Sequence, residues 1–122
     1  MASSGIVMQG AVRTAITALA GAGTPALAVN TLSYGVNVVS VVASSGDGVI
    51  LPASVPQGGT VVVVNTAATN TCDVFPNTGG TINGGTATTG QRGIATLTGA
   101  TFYQVGTDGL TWVVDNTVAA IS

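Results

Sequence analysis

GVILPASVPQGGTVVVVNTAATNTCDVFPNTGGTIN, residues 48–83, alternates short apolar runs with turns rich in Pro and Gly. Val49-Ile50-Leu51 reads as a short strand stopped by Pro52, which has no N–H to give to a ladder. Pro56, Gly58 and Gly59 set the next loop. Four valines follow in a row, Val61 to Val64. Side chains alternate along a strand, so Val61 and Val63 face one way and Val62 and Val64 the other. A strand that is apolar on both faces has neither side in water. One face fills a core, and the other requires a second layer or another subunit. Residues 67–70 read as a hairpin into a strand over 72–75, which Pro76 ends. Gly79-Gly80 and Gly84-Gly85 bracket Thr81-Ile82.

Working towards the N terminus, SSGDG at 44–48 is a turn in which Asp47-Gly48 favours positive φ. VNVVSVVA at 36–43 is a strand, with Val36, Val38 and Val42 on one face and Val39 and Val41 on the other. Asn37 and Ser40 keep either face from being wholly apolar. Ser33-Tyr34-Gly35 turns the chain, Leu27, Val29 and Thr31 alternate as an earlier strand, and GAGTP at 21–25 is a turn. Residues 11–20 hold several alanines, good helix formers. The β-branched Val12, Thr14, Ile16 and Thr17, and the alternation of Ile16, Ala18 and Ala20, favour a strand instead. Ile6-Val7-Met8 is an apolar patch behind a small polar lead. It would fray alone and become ordered by docking on a neighbour.

Working towards the C terminus, TATTGQRG at 86–93 has no apolar periodicity and reads as a loop bearing Arg92. Residues 94–97 read as a short strand and 98–99 as a turn. A strand over 100–105 places Phe102 and Tyr103 on opposite faces. Asp108-Gly109 turns the chain, and 110–114 returns with Trp112 on one face and Thr111 and Val113 on the other. Residues 116–121 are a terminal strand or tail. Short strands at even spacing, punctuated by Gly and Pro, specify an all-β fold: a single-domain β-sandwich or jelly-roll-like antiparallel domain with an N-terminal arm. Residues 1–24 are the arm and possible first strand, and 25–122 the β-sandwich.

Charge is the unusual feature. The 122 residues carry 2 Lys+Arg, 4 Asp+Glu and no His, so 5% are charged against about 25% in an ordinary domain. Hydrophobic content of 46% excludes disorder. A spanning helix needs about 20 apolar residues in a row, and every such window here is broken by Thr, Ser, Asn or Gly, so no membrane partner is expected. A net charge of −2 with two cations does not suit a phosphate backbone, so no nucleic acid is expected. TAITALAGAG after Arg13 is only weakly apolar and is broken by Thr and Gly, and the Arg comes late, so a secretion signal is not expected. So few charges give little protection against self-association. The surface is therefore expected to be covered by copies of the chain or by a larger assembly.

Catalytic chemistry is not expected either. Cys72 is alone, without a second cysteine to bridge or a histidine to activate it, and reads as a small buried residue. Asp47 and Asp73 could form a carboxylate pair for acid–base work or a metal. With no supporting His or Glu, they read as a turn cap and a surface residue. The glycine-rich loop 84–93 lacks the lysine and following helix of a phosphate cradle. Tyr34, Tyr103 and Trp112 could line a sugar site but are scattered, and read as core or interface. No catalytic, cofactor-binding or metal residue is assigned, and the chain is not read as an enzyme.

DGVILPASVPQGGTVVVVNTAATNTCDVFPNTGGTING at 47–84, followed by ATFYQVGTDGLTWVV at 100–114, resembles a module of tailed-bacteriophage structural proteins. The residues that carry the resemblance are Asp47, Gly48, Leu51 and Pro52; Gly59, Val62, Val64 and Asn65; Val74, Pro76, Gly79, Ile82 and Asn83; then Phe102 and Trp112. Residues 47–114 are covered, 86–93 do not align, and the first third fits only loosely. The member type it looks like is the capsid decoration, or cement, protein. The resemblance implies a jelly-roll-like homotrimer on the outer surface of the virion capsid, clamping neighbouring subunits of the major capsid protein. The matched positions are framework, so no catalytic residue carries over. The same module occurs in tail and fibre proteins, which leaves a module recognising host surface glycans as the alternative. The interface residues expected are Ile6, Val7 and Met8 of the arm, with Arg13 and Arg92 available to pair with an aspartate across a subunit boundary.

Overall fold

A computed structural model describes residues 12–19, 31–86 and 92–115. Among them the chain forms strands and no helix: β1 (Val12–Thr17), β2 (Gly35–Val41), β3 (Gly48–Ile50), β4 (Thr60–Asn65), β5 (Cys72–Phe75), β6 (Thr81–Ile82), β7 (Arg92–Ile94), β8 (Thr98–Gln104) and β9 (Thr111–Val113). The β-branched run at 12–17 is a strand, as its alternation predicts. The arm residues Ile6, Val7 and Met8, the strand expected around Leu27 and Val29, the boundary at 24/25 and the tail 116–121 lie outside the described residues.

Six strands form one sheet in the order β1-β2-β4-β8-β9-β6, and three form a second in the order β3-β5-β7. Both sheets are mixed, which corrects the antiparallel expectation. β1–β2, β2–β4, β3–β5 and β9–β6 run parallel, while β4–β8, β8–β9 and β5–β7 run antiparallel. The cause is the path of the chain. It leaves β2 for β3 in the other sheet and comes back as β4; it leaves β3 for β4 and comes back as β5. Parallel neighbours cannot be joined by a tight turn and need a crossover, and here a strand of the other sheet supplies it. For the same reason the segment after β4 is no hairpin: it carries the chain from the larger sheet to the smaller.

The core lies between the sheets. Val61 and Val63 of β4, Phe102 of β8, Trp112 of β9 and Ile82 of β6 pack from one side, and Val49, Cys72, Val74 and Ile94 from the other. Fully burying a side chain of this kind contributes roughly 1.5–3 kcal/mol. The smaller sheet is buried on both faces, since Ile50 and Phe75 are cross-strand partners and both are buried. Asp73, on β5, is buried with its strand, which corrects its reading as a surface residue. Gly48 permits the close approach of β3 and β5. A Cβ there would lie 2.4 Å from the Asp73 carbonyl oxygen and 2.6 Å from Phe75 Cε2. The positive φ of this turn belongs to Gly46, at 94°.

Side-chain amides tie the elements together. Asn65, at the end of β4, donates through Nδ2 to the carbonyls of Ile94 (2.9 Å) and Asn70 (3.1 Å), and its Oδ1 accepts from the Ala67 N–H (3.0 Å). Asn37 exchanges two hydrogen bonds with the Ser33 backbone (3.1 and 2.9 Å). Asn83 does the same with Val114, at 3.1 and 2.9 Å. Gln104 Oε1 accepts from the N–H groups of Gly106 (2.7 Å) and Thr111 (3.3 Å), closing the β8–β9 turn.

Two boundaries differ from the sequence reading. Arg92 and Gly93 are strand residues, because β7 pairs with β5 in the register Val74↔Arg92 and Asp73↔Gly93. That long-range pairing overrides a polar local composition. Residues 95–97 form the turn that was expected one step later. The Thr98 hydroxyl donates to the Ala95 carbonyl (2.7 Å), and Leu97 holds a φ of 61°. The edge strand β1 is irregular, with register shifts on either side of Ile16 and Ala15 at a φ of 58°.

Candidate assembly surface

Strand register decides which side chains share the outer face of the six-stranded sheet. Val12, Val36, Val62 and Thr101 stand in one row across β1, β2, β4 and β8. Val38, Val64 and Gly99 stand in the next. On the far side Tyr103 of β8 pairs with Val113 of β9. Directly paired residues bring their Cβ atoms within about 4.5–5.5 Å, so these side chains form one apolar surface. The valine run has two fates. Val61 and Val63 are fully buried, whereas Val62, Val64, Val36 and Val38 are only partly covered. Val12, Tyr103 and Val113 are 64%, 50% and 43% exposed, too much for residues of an internal layer.

None of these face residues carries a formal charge. Arg13, on the edge strand β1, donates from Nη1 to the Thr31 carbonyl at 2.7 Å. Asp47 is buried in the turn before β3, where its Oδ2 accepts from the Ser44 N–H (3.2 Å), the capping role its sequence context suggests. Asp73 is buried in β5, and Arg92 is partly buried on β7. Asp108 lies in the β8–β9 turn and accepts from the Leu110 N–H (2.9 Å) and the Thr111 hydroxyl (3.1 Å). These bonds, the Leu110 N–H first, hold its carboxyl below the ordinary value of 3.8. Asp115 is exposed beyond the end of β9, two residues after Val113.

The residues expected at an interface are distributed differently. Arg13 and Arg92 belong to different sheets, and neither stands on the valine face. Ile6, Val7 and Met8 fall outside the described residues. The three aromatics do not converge. Trp112 is fully buried on the core side of β9, while Tyr103 points away from the core on β8. Cys72 is buried, and burial first, then the negative charges of Asp73 and Asp47, push its thiol up to about 12. Among the described residues no group of three or more His, Cys, Asp or Glu is placed to hold a metal ion, and no helix is long and apolar enough to cross a membrane.

Sequence reasoning identified the need to cover Val62 and Val64 but missed the extent of the face. Val36, Val38, Tyr103 and Val113 join it only through parallel and antiparallel registers that local periodicity does not encode. Compared with known proteins, the chain matches no family model and no curated protein.

Proposed function

We propose that this protein is a structural component of a tailed-phage virion, a jelly-roll-like decoration protein that binds the outer surface of the capsid as a homotrimer and stabilises contacts between neighbouring major capsid subunits. The observation that carries this reading is the uncharged, apolar outer face of the six-stranded sheet. A surface of this kind is a liability on a free domain and an asset in an assembly. The sequence resemblance over 47–114 supplies the kind of assembly. The mixed two-sheet core gives a scaffold with a covered interior. In this reading the arm residues Ile6, Val7 and Met8 extend over the shell, and Arg13 and Arg92 contribute at its boundaries.

The test is reconstitution. Purified protein is mixed with capsids assembled without it, and both co-sedimentation and the mass of the free protein by light scattering are measured. The reading expects a trimer mass and saturable binding to capsids that then resist heat better. A stable monomer at micromolar concentration that ignores capsids overturns it. Replacing Ile6, Val7 and Met8 by Ser is expected to leave the β circular-dichroism signal intact and weaken attachment. Unchanged attachment removes the arm from the account.

A further inference from the structure

We infer that the valine face of the six-stranded sheet is where one copy of this chain meets another, and is not the surface that meets the shell. The inference rests on the reading above, that the protein works as an oligomer, and adds which surface joins the copies. Val36 and Val62 lie side by side in register, as do Val38 and Val64, on strands about 4.8 Å apart. Tyr103 and Val113 extend the same surface on β8 and β9. Short β-branched side chains in a ladder make a flat, regular surface, and such surfaces pack closely against one another around the axis that relates the copies.

Charge selects the occupant. An ordinary protein surface is about 25–35% charged. A partner of that kind would bring charges against a face with nothing to pair them, and burying an unpaired charge is heavily unfavourable. A second copy brings no such cost. It carries only 2 cationic and 4 anionic side chains in 122 residues, and none of the residues named on this face is charged. The surface that matches an uncharged apolar face is therefore one supplied by this chain itself.

The experiment measures self-association and capsid binding separately. The full chain carrying Val62→Thr and Val64→Thr keeps β-branched side chains of similar size at partly covered positions while making the face polar. Mass is followed by light scattering from about 1 to about 100 μM, spanning affinities of typical specific contacts. The inference expects a folded variant that has fallen to the monomer, while Leu97→Asp, a control in the exposed turn before β8, retains the wild-type mass. A folded double variant with the wild-type mass overturns the inference and leaves the capsid reading standing. A wild-type protein that is monomeric alone, yet binds capsids less well after the double substitution, also overturns it, because the face then belongs to the shell. If the double variant loses its β signal, Tyr103→Ser gives a second readout at a half-exposed position. A dissociation constant raised at least about tenfold supports the inference, and an unchanged one overturns it.

Discussion

Cys72 shows how far one side chain's chemistry depends on its surroundings. Burial in β5 first, and then the negative charges of Asp73 and Asp47, push its thiol from 9.0 to about 12. The native protein is therefore expected to resist thiol-specific reagents at pH 8 and to react only when denatured, as a chromogenic thiol assay with and without urea would show. The same shift fixes a sign. Above pH 9 the unfolded thiol releases its proton and the folded one keeps it, so stability falls as pH rises, by about 1.4 kcal/mol per pH unit, until the folded value is reached. Urea denaturation from pH 8 to about 11 is expected to show this decline in the native sequence and a flatter curve in Cys72→Ala. Trp112 and Gln104 make a different point. They are cross-strand partners on β9 and β8, and Trp112 Nε1 and Gln104 Nε2 are both buried without an acceptor. Trp112→Phe removes one of these unpaired donors, whose burial costs about 1–3 kcal/mol, and gives up some packing volume in exchange. The net change is expected within about 1 kcal/mol, whereas Trp112→Ala, which opens a cavity, is expected to cost about 3–5 kcal/mol by circular-dichroism melts.

Elements here are joined by close approach and by neutral amides. Gly109, in the β8–β9 turn, holds a φ of 76°, and a Cβ there would stand 2.6 Å from Ser54 Cα. Gly109→Ala combines backbone strain with a clash against main chain, and is expected to cost at least about 1–3 kcal/mol in chemical denaturation. Asn65→Ala leaves the Ala67 N–H and the Ile94 and Asn70 carbonyls without their partner, at about 1–3 kcal/mol for a buried group left unsatisfied. Val63→Asp places a charge in the core between the sheets and is expected to yield no folded protein, seen as loss of the β circular-dichroism signal. The strands themselves were legible because period-two valine runs and Pro/Gly punctuation are local signals. The sheets were not. The parallel neighbours β2 and β4 are separated by a whole strand of the other sheet, and nothing local marks such a crossover. TATTGQRG has no periodicity that would mark Arg92 as a strand residue, and only its pairing with Val74 makes it one. The candidate surface was half legible: the valine run announced an outer face at β4, but its neighbours depended on register.

For the whole molecule, the small number of ionisable groups sets the response to its surroundings. The chain has no His, so no side chain with an ordinary titration between about pH 5 and 8 is present. The midpoint of thermal unfolding is expected to stay flat across that range, and to vary little between about 0.05 and 1 M salt, where exposed ion pairs would be screened. On the acid side, Asp108 titrates lower in the folded state than its ordinary 3.8. Its contribution is complete above that value and is lost as pH falls through the lower folded one, so the acid limb of the profile begins below the plateau.

The irregular edge strand β1 has a consequence for growth. An open, regular edge would let sheets of successive molecules join by hydrogen bonds without end, as in a fibre. Here one edge is broken by the shifts around Ile16, with Ala15 turned to positive φ and Arg13 exposed beside it. Among the described strands, the other edge of the six-stranded sheet is β6, only 2 residues long. Short or bulged edges are poor templates for a new strand. Polymerisation along the hydrogen-bond direction is thereby suppressed. What remains is packing of apolar faces around a closed rotation axis, which yields particles of finite size.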